Sequence, residues 1–213
     1  MRPGRGTLVL GVGGLLVALS VGAVAWADNY KFRFTPADQA LARSVALRRT
    51  DLATTAVWRG GPKKADLSES LTCPDYDPKR ADLVVTGAAD SEFRSSAADI
   101  LSHVEVFQRS AMLRLDWQRS LTPMFVSCLH SENSPSSVRR IPFPHVATYA
   151  AAFRVLFDVE VTGFKQRVMS DIVLLGRGRA EIALATTANY ANRLVVEADE
   201  VRLARILVAR APR

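Results

Sequence analysis

From Tyr149 to Val161 every second residue is apolar: Tyr149, Ala151, Phe153, Val155, Phe157, Val159 and Val161, with Arg154, Asp158 and Glu160 between them. A period of two sends successive side chains to opposite faces, so the pattern predicts a strand with one buried side. If Thr162-Gly163 makes a two-residue hairpin turn, residues whose numbers sum to 325 face each other. Val161 then meets Phe164, Phe157 meets Val168, Phe153 meets Ile172 and Ala151 meets Leu174. On the other face the same register sets Glu160 against Lys165, Asp158 against Arg167 and Arg154 against Asp171. Such pairs stabilise by only a few tenths of a kcal/mol or so each, but together they specify the register. For the next turn, a two-residue loop would set Leu174 against Arg179 and break the apolar face. A Gly176-Arg177-Gly178 loop instead pairs Leu174 with Ala180, Ile172 with Ile182 and Ser170 with Leu184, completing a three-stranded antiparallel meander.

The preceding chain has equally local signals. Thr35 is a suitable N-cap, Pro36 fits the first helical position, Asp38 falls in the first turn and Arg48-Arg49 in the last, which predicts a helix over 36–49. Residues 52–82 weaken into loop, with Gly60-Gly61-Pro62, Pro74 and Pro78 as breakers and only 56–59 resembling a short strand. "LVVTGAADSEFRSS" and "DILSHVEVFQ" read as two strands separated by small polar residues around 95–98. Ser110 caps a helix on which Leu113, Trp117 and Leu121 stack at i, i+4. Pro123 is expected to kink it or to restart it with Thr122 as a fresh cap, so Cys128 rides on a short second helix, and "SENSPSSVRR" follows as polar loop. Leu203, Ala204, Leu207 and Val208 mark a C-terminal amphipathic helix. The predicted fold is α+β: an antiparallel sheet ending in a meander, with helices packed on one face.

The first 27 residues belong to a different class. Arg2 and Arg5 precede an uncharged run from Leu8 to Ala25, followed by Ala25-Trp26-Ala27, which is the pattern of a secretory signal. The run is also near the minimum that spans a bilayer, so the segment 1–27 is either cleaved after Ala27 or retained as a single membrane anchor. Either outcome places a single domain, 28–213, outside the cytoplasm, secreted or tethered to the membrane. No cysteine follows the run for lipid attachment. An even cysteine count in an oxidising compartment means pairing, so Cys73 and Cys128 are expected to form a disulfide. His130, close to Cys128, is weaker evidence for a nucleophilic dyad.

Composition adds a basic balance. The formal net charge is +7, which loss of Arg2 and Arg5 would lower to +5. Most of the basic residues are arginines scattered along the chain, without the aromatic interleaving of a nucleic-acid surface, so nucleic acid is not an expected partner. His103, His130 and His145 fit no metal-ligand spacing, and neither metal nor cofactor is expected. "GRGR" in the hairpin lies outside any strand-to-helix phosphate loop. The register assigns Arg154–Asp171, Asp158–Arg167 and Glu160–Lys165 structural roles as ion pairs rather than catalytic ones.

The succession of an N-terminal helix, "RTDL…VW", "LTCP", "LVVTGAADSEF", "VEVF", a tryptophan helix, "CL", the meander "SDIVLLGRGRAEI" and the final "R-x-L-A-R-I-L" resembles secreted α+β domains of actinobacteria. Among these are mycobacterial lipoproteins with a PsbP-like fold and the extracellular sensor domains of some Ser/Thr kinases. The resemblance rests on element order and cysteine positions, and it implies a non-enzymatic envelope module that binds a small ligand, a lipid or a protein. The chain differs from those relatives in having neither a lipid-attachment cysteine nor a kinase domain. A ligand pocket on the apolar sheet face would be lined by Phe107, Trp117, Tyr149, Phe153 and Phe157; the alternative is that these aromatics simply fill the core. A second class of function, hydrolysis, would need His103, Asp99 and a serine to converge in a cleft.

Overall fold

The computed structural model describes residues 30–67, 73, 76–133, 135–161 and 163–213. The signal or anchor segment and Thr162 of the hairpin turn lie outside the described residues. The strands are β1 (Lys31–Phe32), β2 (Arg59–Lys63), β3 (Val84–Arg94), β4 (Ala98–Phe107), β5 (Ser137–Ile141), β6 (Tyr149–Val161), β7 (Phe164–Arg177) and β8 (Ala180–Asn189). The helices are α1 (Pro36–Val45), α2 (Ser110–Ser120), α3 (Pro123–Asn133) and α4 (Arg193–Arg210). The strands form one sheet in the order β1-β3-β4-β8-β7-β6-β5, with β2 also paired to β3. Every pairing is antiparallel except β1 with β3. The class is α+β. Among the described residues, no helix is long and apolar enough to cross a membrane.

Several elements form for the local reasons already given. The Thr35 hydroxyl accepts the Asp38 N–H at 3.2 Å and Pro36 opens α1. The helix ends at Val45 rather than Arg49, because Asp51 draws the next residues into a separate turn of 3-10 helix by accepting the Arg48 N–H at 2.8 Å. Two strands replace expected loops. β2 falls on the Gly-Gly-Pro breaker itself, which is tolerated because β2 pairs only with β3 and Pro62 needs no further ladder bond. β5 arises in the polar segment before "HVATY" and closes the sheet beyond β6.

The β6–β7 register pairs residues that sum to 325, from Tyr149 with Gly176 to Val161 with Phe164. The β7–β8 turn differs from expectation. It is a two-residue turn at Gly178-Arg179, with Gly178 at φ +60°, and it pairs Arg177 with Ala180 and Leu174 with Ala183. The criterion of one apolar face fails there because β7 is buried on both faces, Val173 and Leu175 on one and Ile172 and Leu174 on the other. For the same reason the helices do not pack on one side only. Leu203, Leu207 and Val208 of α4 and Ala42 and Val45 of α1 meet Val104, Val173, Ile182 and Leu184 on the first face. Leu113 of α2 and Phe125 and Leu129 of α3 meet Phe153, Phe157, Ile172 and Leu174 on the second. Fully burying each such Leu, Ile or Phe is worth about 1.5–3 kcal/mol, so the sheet is held from both sides.

Gly87 lets α1 lie directly on β3, since a Cβ at this position would stand 2.2 Å from the Asp38 carbonyl oxygen. Gly87→Ala must push the helix off the sheet and is expected to cost about 1–3 kcal/mol. Urea denaturation should show a lower midpoint at unchanged slope. At Gly61, where nothing lies within 4 Å of the added atom, the same change should stay within about 0.5 kcal/mol.

Candidate functional site

An apolar cavity of about 270 Å³ lies on the first face, between the N-terminal half of α4, the β3–β4 hairpin and the segment 53–58. Its buried floor is Ala98, Ile100, Thr186, Val196, Glu200 and Leu203, and its rim includes the exposed Thr55 and Val195. Two further apolar side chains, Val57 and Leu194, are 83% and 68% exposed beside rim residues. The wall at 53–58 has no regular structure of its own and is held by side-chain bonds to its backbone. Trp58 Nε1 donates to the Ala53 carbonyl at 3.1 Å, Arg49 donates to the Trp58 carbonyl, and Arg202 of α4 donates to the Asp51 carbonyl at 2.6 Å.

Glu200 stands on the buried stripe of α4, in step with Val196, Leu203, Ala204 and Leu207. It is 2% exposed, and Thr186 on β8, its neighbour, is 3% exposed. Neither Glu200 Oε1 nor Thr186 Oγ1 makes a hydrogen bond of normal geometry among the described residues, although the Thr186 hydroxyl lies close enough to the Glu200 carboxyl to oppose the rise in its pKa. Burial, and then the negative charge of Asp171, push the Glu200 carboxyl up to about 9, so it is protonated at neutral pH. The Arg154 guanidinium is already engaged: it donates to Asp171 at 2.7 Å, in a bidentate pair, and to Glu197 at 2.8 Å. Those bonds outweigh burial and hold Arg154 charged; its charge also reaches Glu200, but it opposes the rise there by less than burial and Asp171 promote it. An apolar cavity whose floor holds a carboxyl oxygen and a hydroxyl with unmet hydrogen-bonding capacity suits a small ligand with an apolar body and one hydrogen-bonding group.

The aromatic residues expected to line a pocket lie elsewhere. Phe107, Phe153 and Phe157 are buried on the second face, Phe153 against Phe125 at 4.9 Å between ring centroids. Trp117 and Tyr149 stack at 5.3 Å at the edge of that core, and Tyr149 also faces an arginine-lined cleft at the opposite end of the sheet. Of the three cross-strand charge pairs, Arg154–Asp171 is buried and Asp158–Arg167 is an exposed bidentate pair at 2.7 and 3.1 Å. Glu160 and Lys165 are register partners.

The second face holds another polar group of side chains. Asp116 on α2 accepts from Tyr30 Oη at 2.7 Å and from Arg80 Nε at 2.9 Å, while Arg80 also donates to Ser120 Oγ at 2.6 Å. Tyr76 Oη donates to the Ser120 carbonyl at 3.0 Å. Together with the Cys73–Cys128 disulfide, these bonds fasten the long segment before β3 to α2 and α3. Burial, then Asp116 and Glu105, raise Glu181 well above the usual carboxylate range. His103 Nδ1 lies 2.5 Å from Asp90, and although burial opposes its charge, bonds to Asp90 and Glu105 push the ring up to about 10. Its partner is therefore Asp90 and not Asp99, which sits four positions along β4 and interacts with Arg94 instead. Ser91 and Ser102 bond to each other at 2.9 Å, and Ser102 accepts the Leu47 N–H on the face covered by α1.

Glu200 and Thr186 escape a reading of the sequence that begins the apolar stripe of α4 at Leu203. Carrying the stripe back by i−3 and i−7 meets Glu200 and Val196, and an acid in that position is the one available signal. Comparison with known proteins adds nothing to the site: no family model matches the chain, and no curated protein matches it at a significant level.

Proposed function

We propose that this chain is an extracytoplasmic binding module, exported or held at the membrane by its N-terminal segment, that takes a small neutral amphiphile into the cavity beneath α4. The observation that carries this reading is the pair of buried polar atoms with unmet hydrogen-bonding capacity, Glu200 Oε1 and Thr186 Oγ1, at the floor of an otherwise apolar cavity. A buried polar group left unmade costs about 1–3 kcal/mol, and a ligand hydroxyl or carbonyl would recover it. A protonated Glu200 selects a neutral ligand group over a carboxylate or phosphate, since nothing at the floor balances an anion. At roughly 30 Å³ per small non-hydrogen group, 270 Å³ admits about nine such groups, most of a bicyclic alcohol or the head of a longer chain, and the exposed apolar side chains at and beside the rim, Val57, Leu194 and Val195, suit the remainder. The disulfide supports the oxidising compartment, in line with the n-region charges and apolar run of the sequence.

Isothermal titration calorimetry with 1-naphthol, a neutral aromatic alcohol, tests the reading. Saturable one-site binding is expected, weakened tenfold or more by Ala98→Leu, which fills the floor. Absence of saturable binding, or equal binding by an Ala98→Leu variant that melts cooperatively, would overturn it.

A further inference from the structure

The arginines that are scattered in the sequence converge at the other end of the sheet. Arg109, Arg114, Arg177, Arg179 and Arg213 line an open cleft of about 890 Å³ that has neither Asp nor Glu in its lining. Two of them are held in place. Arg177 donates to the Val208 carbonyl at 2.9 Å and so keeps its full charge, while Arg179 is fixed by Asp38 at 2.8 and 3.1 Å and by the Phe107 carbonyl. Asp38 neutralises only that one guanidinium. Arg109 and Arg114 take part in no ion pair among the described residues, whereas Arg213 brings its own backbone carboxyl group to the cleft wall beside Gly178 and adds little net charge. The first turn of α2 opens into the same cleft, with Arg109 at its cap and no acidic residue in it, which adds amide donors to a site that the guanidinium groups define.

Three like charges, on Arg109, Arg114 and Arg177, are gathered here without an anionic partner, which disfavours the empty cleft and favours an anion with more than two acceptor oxygens. A guanidinium presents a planar fork to phosphate, and separate forks around one cleft can each engage a different oxygen. We infer that this cleft binds a phosphate-bearing anion, independently of the cavity beneath α4. The direction of the chain favours a lipid headgroup over a soluble phosphate as its source. Lys31 pairs with Val84, whose carbonyl accepts the N–H of Gln108 in the cleft wall at 2.9 Å. The apolar run that ends at Ala25 precedes this point by only a few residues. A retained anchor would therefore present this end of the sheet to the headgroups.

Calorimetry on the full chain in a neutral detergent, with pyrophosphate in one arm and dihexanoyl phosphatidic acid below its micelle concentration in the other, tests the inference. Binding in both arms identifies a phosphate site that soluble esters can occupy, and binding of the lipid alone identifies a headgroup site. In either case Arg109→Gln/Arg114→Gln should weaken binding tenfold or more, and added salt should weaken it further. The charge-matched control Arg139→Gln/Arg205→Gln should leave it within twofold. No binding in either arm, or equal losses in the two double variants, would overturn the inference.

Discussion

Glu200→Gln is expected to make the protein more stable at neutral pH and to remove much of the pH dependence of its stability. The folded carboxyl titrates near 9, the unfolded one near about 4.3. Below the unfolded value both states hold the proton and the group has no effect. Above it the unfolded chain releases the proton while the folded chain keeps it, so stability falls as pH rises, up to the folded value. The slope approaches ~1.4 kcal/mol per pH unit. At pH 7.5 the accumulated cost is on the order of 2–4 kcal/mol, the lower figure allowing for relaxation of the surroundings. Gln keeps the shape and the hydrogen-bonding group but has no proton to lose. Urea midpoints at several pH values between 5 and 8 should fall for the wild type and fall less for the variant, with the residual slope coming from Glu181 and, above about 6.5, from His103, both raised in the same sense. Parallel curves would show that Glu200 is not the group responsible. A residue that weakens the fold while flooring a cavity supports the binding role proposed above.

Removing the disulfide should have an effect of similar size and opposite sign. Cys73 and Cys128 are separated by 55 residues, and closing a loop of that length is worth about 4 kcal/mol in the chain-entropy account. Cys73→Ser/Cys128→Ser should therefore lower Tm by roughly 8–16 °C for a domain of this size. The loss should be felt first in the segment leading to β3, because Tyr76 and Arg80 reach Ser120 and Asp116 from it. Hydrogen exchange of the double variant should show early opening at 76–83. A Tm within 2 °C of the wild type, by contrast, would mean that the buried Tyr30–Asp116–Arg80 network holds this segment by itself.

What the sequence disclosed follows from how one-sided each element is. β6 has an apolar face and a charged face, so its turn, register and charge partners could be placed residue by residue, as could the Thr35 cap and the restart at Pro123. β7 is apolar on both faces, and a register one turn further along depends on which face is counted. Gly178 and Arg179 take the turn because Arg179 can reach Asp38 and the Phe107 carbonyl, contacts that no local pattern contains. β2 and β5, RGGPK and SVRRI, have little apolar alternation of their own, and they exist because β3 and β6 offer free backbone to pair with. The aromatics that could have lined a pocket are the most conspicuous apolar residues of the chain. Three of them, Phe107, Phe153 and Phe157, are buried in the core of the second face, while Trp117 and Tyr149 pack at its edge. The cavity formed instead where small side chains, Ala53, Ala97 and Ala98, face α4. The arginines of the cleft are dispersed between positions 109 and 213, and only the fold brings them to one end.

Methyl-resolved NMR during a titration with 1-naphthol would decide whether the cavity beneath α4 is the binding site, because it reports where a ligand sits as well as whether it binds. Binding beneath α4 requires saturable shifts confined to Ile100, Val195, Val196 and Leu203, with Leu113, Ile172 and Leu174 on the other face unmoved. Shifts among those latter residues, or none at the α4 cavity at saturating ligand, would contradict the account.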